Sequence, residues 1–200
     1  MRYTKSKHQN RIMSIHKSLK EKKEECVALL LSTQRPKIEA LISHIERMGY
    51  FIAPGSLNHH RFEGGLLSHS LETYHKAMEL RQVRINRGMD AELMPKESVI
   101  IAALMHDLCK ADALRYSKES RRSYEVKKTH GHSARSVRQV GYSGFELTSA
   151  ERDAILWHMG GRRFKEDRIE HFKRNPLAEI IYYADKKSIR EASLRHHRKR

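Results

Sequence analysis

Six residues of this chain have the types and the setting to hold a metal ion: His69, His106, Asp107, His132, His158 and Asp185. The densest stretch is Ile100-Ile101-Ala102-Ala103-Leu104-Met105-His106-Asp107-Leu108-Cys109-Lys110. It opens as an apolar run and ends in an imidazole, a carboxylate and, three residues on, an ammonium. A carboxylate at the end of a buried run is costly unless it is partnered, and a metal ion is the obvious partner. Imidazole and carboxylate together suit Mn, Fe, Co, Ni or Zn, and Mg where water completes its shell. The two cysteines, Cys26 and Cys109, lack metal-type spacing, which argues against a structural zinc site closed by thiolates. The competing readings are the exposed end of a core helix and a chance gathering among 14 histidines.

Helices must position these groups. Residues 1–33 lack Gly and Pro, and their apolar spacing predicts one or two basic amphipathic helices. Pro36 starts a helix with Ile38, Leu41, Ile42 and Ile45 on one face, and Gly49 ends it. Tyr50–Asn58 reads as a loop. Gly64-Gly65 then begins a helix whose apolar face is Leu67, Leu71, Tyr74 and Met78, with His69 at its edge. Residues 81–97 read as a polar connection, and Pro95 and Glu97 suit the first turn of a central helix that runs through Cys109. A basic connection follows over 111–130. His132 lies at the start of a short helix with Ala134, Val137 and Val140 inward. Thr148-Ser149-Ala150-Glu151 is a capping box; its helix places His158 four residues after Ala154, and Gly160-Gly161 closes it. Asn175-Pro176 starts the last helix, which places Asp185 four residues after Ile181 on the inward side.

Composition sets the class. The chain has 200 residues, 38% hydrophobic and 32% charged, with a mean hydropathy of −0.74. That fits one helical domain with well-solvated faces. No apolar run approaches the ~18 residues of a membrane span, and no signal-peptide core follows the N-terminus. With only two cysteines, the expected location is the cytoplasm. The net charge is +16, and much of it sits at the ends: residues 1–25 hold eight Lys or Arg against three Glu, and residues 186–200 seven against one. Such segments suit a polyanion, RNA or DNA, or else are solvated helix ends.

Gly64-Gly65-Leu66-Leu67-Ser68-His69, then His106-Asp107 with Lys110, then Asp185 in Tyr183-Ala184-Asp185-Lys186, resembles the HD superfamily of metal-dependent phosphohydrolases. The likeness runs from about Ile38 to Ala192. Around His59–Leu71 it is nearest to small phage-like HD hydrolases and to the HD domain of bacterial 3′→5′ exoribonucleases. It implies an all-α, compact helical bundle, divided here into a basic N-terminal arm (1–35), an HD domain (36–193) and a basic tail (194–200). It also implies one or two divalent ions. His69, His106, Asp107 and Asp185 would hold the first; His132 and His158 would hold the second, with Asp107 shared. Lys110 would contact the phosphate and act with Asp107 in catalysis, and His60 would line the substrate pocket.

The reaction so implied is hydrolysis of a phosphate ester of a nucleotide by water that a metal ion activates. The expected partners are that phosphate-ester substrate and, through the basic termini, nucleic acid, with no membrane. One alternative is a 3′→5′ nuclease on single-stranded RNA or DNA, favoured by the basic 111–130 segment and opposed by an aromatic content of 7%. A further alternative is a non-catalytic, basic nucleic-acid-binding module.

Overall fold

A computed structural model describes residues 17–128, 131–160 and 165–197. Residues 1–16 of the expected arm, Gly161 and residues 198–200 of the expected tail lie outside the described residues. Among the described residues the architecture is all-α apart from one small hairpin. Helix α1 (Leu19–Ser32) starts in a capping box, in which the Ser18 hydroxyl accepts from the Glu21 amide and the Glu21 carboxylate accepts from the Ser18 amide. Helix α2 (Ile38–Arg47) turns Ile38, Leu41 and Ile45 into the core, as their spacing predicts. Two long elements follow, α3 (Gly65–Asn86) and, after a 3-10 turn at Ala91–Leu93, α4 (Lys96–Met105).

Helix α4 is the centre of the bundle. Every residue from Ser98 to Met105 is buried, because α1, α3 and the later helices α7 (Ser149–Trp157) and α9 (Pro176–His197) all pack against it. Helix α9 in turn lies along α3 and α7. Between these lie α5 (Lys110–Ala113), the hairpin of β1 (Leu114–Ser117) and β2 (Arg122–Glu125), α6 (His132–Tyr142), and α8 (Lys165–Arg174). Cys26 and Cys109 are both buried free thiols. No helix among the described residues is long and apolar enough to cross a membrane.

The caps read from the sequence are present. Thr148 and Glu151 exchange their side-chain and amide hydrogen bonds at the head of α7, and the Asn175 side chain accepts from the Ala178 amide at the head of α9. Three local readings need correction. The central helix does not run through Cys109. It ends at Met105, and residues 106–109 tighten into turns that lead into α5, with Leu108 N donating to Met105 O (3.1 Å), Lys110 N to Asp107 O (2.9 Å) and Ala111 N to Leu108 O (3.0 Å). The 111–130 segment is not all loop: Leu114 pairs with Glu125 and Ser117 with Arg122 in an antiparallel ribbon too short and polar to leave a period-2 signal. Helix α3 continues to Asn86, through residues read as a connection, because no breaker intervenes and Arg81 reaches the Met94 carbonyl (2.6 Å). Helix α8 shows little apolar pattern; it is held by buried Phe172 and by His171 stacked on Trp157, ring centroids 4.2 Å apart.

One close approach shapes the ground around the site. The loop before α3 folds back on the helix start, with Gly55 N donating to His60 O (2.9 Å) and Leu66 N to Ala53 O (2.9 Å). A Cβ on Gly65 would lie 1.9 Å from the His60 carbonyl oxygen, so only glycine fits. Gly64, with φ +76, makes the turn that precedes it. This pair lays His59 and His60 over His69.

Candidate metal centre

The six residues singled out by type and spacing converge at one place, from five elements. His69 comes from the second turn of α3, His106 and Asp107 from the turn that ends α4, and His132 from the first residue of α6. His158 caps the C-terminus of α7, and Asp185 faces inward from the middle of α9. The break in the central helix matters here. Successive residues of a helix point about 100° apart; the turn after Met105 lets both His106 and Asp107 face the same centre.

Asp107 divides the centre in two. Its Oδ2 lies 3.3 Å from His106 Nε2 and 3.6 Å from His69 Nε2. Its Oδ1 lies 3.6 Å from His158 Nε2 and 3.8 Å from His132 Nε2. On the first side, Asp185 Oδ1 approaches His69 Nε2 (3.1 Å) and His106 Nε2 (3.8 Å), and the two imidazoles are 3.2 Å apart. On the second side the His132 and His158 Nε2 atoms are 3.3 Å apart. Five of the six are buried; His132 remains partly open. Lys110 Nζ sits 2.6 Å from Asp107 Oδ2, where the turn brings it.

The atoms left unsatisfied say what the centre lacks. Asp107 Oδ1 and Asp185 Oδ2 are buried with no hydrogen-bond partner among the described residues. A buried carboxylate oxygen without a partner is costly, and two beside four imidazole nitrogens ask for a cation. His69 with His106 and Asp185, and His106 with Asp107 and His158, are spaced to share one. The mixed nitrogen and oxygen donors, without thiolate, fit a divalent ion of the borderline or hard class.

The protonation pattern agrees. Burial disfavours charge on His106 and lowers its pKa, despite the nearby Asp107 carboxylate. Burial likewise takes His132 down to about 4. Both imidazoles are therefore neutral at pH 7, the form that donates a lone pair. Asp107 is held well below the usual carboxylate range: burial opposes its charge, and the Lys110 ammonium outweighs burial. Asp185 is also lowered, with burial overcome by its hydrogen bond from His69. His69 runs the other way. Burial works against its charged form, yet Asp107 and Asp185 raise it to about 9. The two carboxylates draw a proton where a metal cation would otherwise sit.

A prediction follows with a definite sign. Below pH 9 a metal ion must displace the His69 proton, so at pH 7 binding releases about one proton, and apparent affinity rises about tenfold per pH unit towards pH 9. Calorimetric titration with Mn²⁺ in buffers of different ionisation enthalpy counts the released proton; no buffer dependence would contradict it.

His60 and Lys110 both lie beside the centre, against His69 and Asp107 respectively. The His60 ring is 5.2 Å from that of His69, and its backbone is held at φ +50 in the left-handed region that favours glycine. Three neighbours escaped the sequence reading. His59 packs its ring 5.4 Å from His69, and burial with the adjacent His69 and His60 takes it down to about 3. Glu72 faces His60 Nε2 at 3.4 Å. Ser188 Oγ lies 3.2 Å from His69 Nδ1. The signal for the last two was present, since each stands three residues after an expected ligand on the same helix, Glu72 after His69 and Ser188 after Asp185.

Among known families, the profile of the HD domain matches residues 66–190, a span that contains all six residues. No curated protein and no solved structure matches the chain.

Proposed function

The chain belongs to the HD domain family, and from that premise we propose that it is a metal-dependent phosphohydrolase acting on a phosphate ester of a nucleotide. The observation that carries the reading is Asp107, with one oxygen towards His69 and His106, the other towards His132 and His158, and an ammonium on its rim. His69, His106, Asp107 and Asp185 would hold one divalent ion; His132 and His158 would hold a second, with Asp107 shared. When bound, such an ion supplies Lewis acidity to a phosphoryl oxygen and brings the pKa of water down to about 7.

The protein's own groups do the rest. Asp107 keeps a negative charge at the midpoint of the donor set, because the Lys110 ammonium beside it holds it ionised. Lys110, partly exposed beside it, offers a fixed positive charge to the negative charge that develops on the phosphate. His59 and His60 form the wall above His69, and with the latter buried they narrow the access of water from that side. Lys110→Met is expected to lower kcat by about 10²–10³-fold, the scale of removing one such donor, while metal content by elemental analysis stays as in wild type. Loss of metal together with activity would make Lys110 a structural partner of Asp107 only.

A specific feature favours a second substrate class, single-stranded RNA or DNA. The hairpin carries exposed Arg115, Lys118, Arg121 and Arg122, with exposed Tyr124, and Lys127 and Lys128 follow it. It is fastened to the loop that bears His59 and His60, by Ser123 Oγ donating to Ser56 O (2.8 Å) and by Lys118 paired with Glu63 (2.9 Å). A strand of nucleic acid entering the centre would pass a basic, aromatic-bearing surface. The test uses metal-stripped protein reloaded with Mn²⁺, Ni²⁺, Co²⁺ or Mg²⁺ and assayed on bis-p-nitrophenyl phosphate, nucleotides and short RNA. Metal-dependent turnover is expected, and the preferred substrate separates nucleotidase from nuclease. Absence of turnover with every metal and substrate would leave a basic binding module as the better account.

A further inference from the structure

A histidine that binds metal through one ring nitrogen needs the other held, because that bond sets its tautomer and orientation. Two of the buried histidines are held by their own helices. His106 Nδ1 donates to the Ala103 carbonyl (2.9 Å) and His158 Nδ1 to the Ile155 carbonyl (2.7 Å). His69 is held differently. Its Nδ1 lies 3.2 Å from Ser188 Oγ on α9, and Ser188 Oγ lies 3.2 Å from Glu72 Oε2 on α3. His69 and Ser188 are both fully buried. An ionised carboxylate only accepts. The serine hydrogen therefore goes to Glu72, and Ser188 Oγ must accept from His69 Nδ1–H. That leaves His69 Nε2 to face Asp185 and Asp107.

We infer that Ser188 and Glu72 are positioning residues, a side-chain relay that fixes the His69 tautomer and makes the His69–Asp185 half of the centre the tighter metal site. The inference rests on the metal-dependent reading above. The two halves are unequal on their donors as well. The first has His69, His106, Asp185 and one oxygen of Asp107; the second has His132, His158 and the other oxygen of Asp107, and His132 is partly open. A carboxylate behind the histidine raises its basicity as a ligand, and among the described residues His69 alone of the four is given one, through Ser188. Glu72 also faces His60, so the same carboxylate serves the wall of the substrate approach. Ser188 is therefore the cleaner residue to change.

The polarity of the relay makes the test specific. Ser188→Ala removes the acceptor. Glu72→Gln keeps the shape but can donate to Ser188 Oγ, which then turns its own hydrogen towards His69 Nδ1 and opposes the required tautomer. Metal-free wild type, Ser188→Ala and Glu72→Gln are titrated with Mn²⁺, and their thermal midpoints are compared without metal. The tightest-bound equivalent is expected to weaken about 10–100-fold in both variants, while any weaker equivalent and the metal-free midpoint of Glu72→Gln stay near wild type. Unchanged affinity of the tightest equivalent, or equal weakening of two equivalents, overturns the inference. A wild type that binds no metal overturns the reading beneath it. The relay is then still tested by the imidazole ¹H–¹⁵N spectrum of the metal-free protein. A His69 Nδ1–H signal retained in Ser188→Ala with wild-type shift overturns the relay, and its loss supports it.

Discussion

Asp107→Asn lowers metal-dependent turnover by about 10²–10⁴-fold and leaves a folded, helical protein. The magnitude comes from the place of this side chain. Its two oxygens face the two halves of the centre, Oδ2 bonded by Lys110 at 2.6 Å with His106 and His69 beyond it, and Oδ1, without a hydrogen bond, towards His158 and His132. Asparagine keeps the volume, removes the charge and sets an NH₂ against either an imidazole pair or the Lys110 ammonium. Removing a single electrostatic contributor from a catalytic centre costs about 10²–10³-fold in kcat, and a side chain shared by both halves of the centre is placed at that scale and above it. The measurement is kcat on bis-p-nitrophenyl phosphate beside elemental analysis and far-UV circular dichroism. A variant that keeps more than about a tenth of wild-type kcat would remove Asp107 from the chemistry.

The second large effect is on stability and sits at the far end of the same helices. Glu151 is fully buried. One of its oxygens takes Arg35 Nη1 and Ser98 Oγ, each at 2.8 Å, and the other takes the Thr148 amide at 2.9 Å. It thereby ties the start of α7 to the start of α4 and to the segment before α2. Those two helices carry His158 and His106–Asp107 at their other ends. Glu151→Ala strips the cap, strands the Ser98 hydroxyl and leaves Arg35 without its carboxylate. Because Arg35 is partly exposed and regains water, the loss falls towards the lower part of the roughly 3–5 kcal/mol expected for a broken buried pair. For a chain of this size that is a fall in Tm of roughly 6–15 °C. Glu151→Gln keeps the shape and part of the hydrogen bonding and is expected to lose less. A thermal melt in which Glu151→Ala lies within about 2 °C of wild type, under 1 kcal/mol on this scale, would show that the pair contributes little.

What the sequence reveals here depends on whether the signal is local. The capping box at Thr148–Glu151, the Asn175-Pro176 start and the Ile38/Leu41/Ile45 stripe depend on near neighbours in the chain, and each is seen as expected. The six polar residues stood out because a carboxylate or imidazole at the edge of an apolar face is anomalous by itself, before any partner is known. Their partners were harder to read. Ser188 and Glu72 are ordinary residues until α3 and α9 are laid side by side. His59 gains meaning only because Gly65 lets the preceding loop fold against α3. The hairpin is formed by four-residue strands of mixed polarity, and α8 by a charged decapeptide held chiefly by Phe172 and the stack of His171 on Trp157. In both cases tertiary contact supplies what periodicity does not. The break after Met105 is the most consequential miss, since the composition of 100–110 favours a continuous helix and only the convergence of the site explains the turn.

The donors come from segments scattered between His69 and Asp185, on helices that otherwise meet through side-chain packing and side-chain hydrogen bonds such as Ser188 to Glu72 and Ser98 to Glu151. An ion held among them is a cross-link as well as a cofactor, closing several long loops at once, as a disulfide closes one. Closing such loops restricts the unfolded chain, and a ligand that binds only the folded state adds stability with its concentration, about 2.7 kcal/mol at a hundred times its Kd. The supply of metal would then govern how long each molecule survives proteolysis as well as how fast it turns over. Starving the protein of metal would shorten its lifetime as well as silence it.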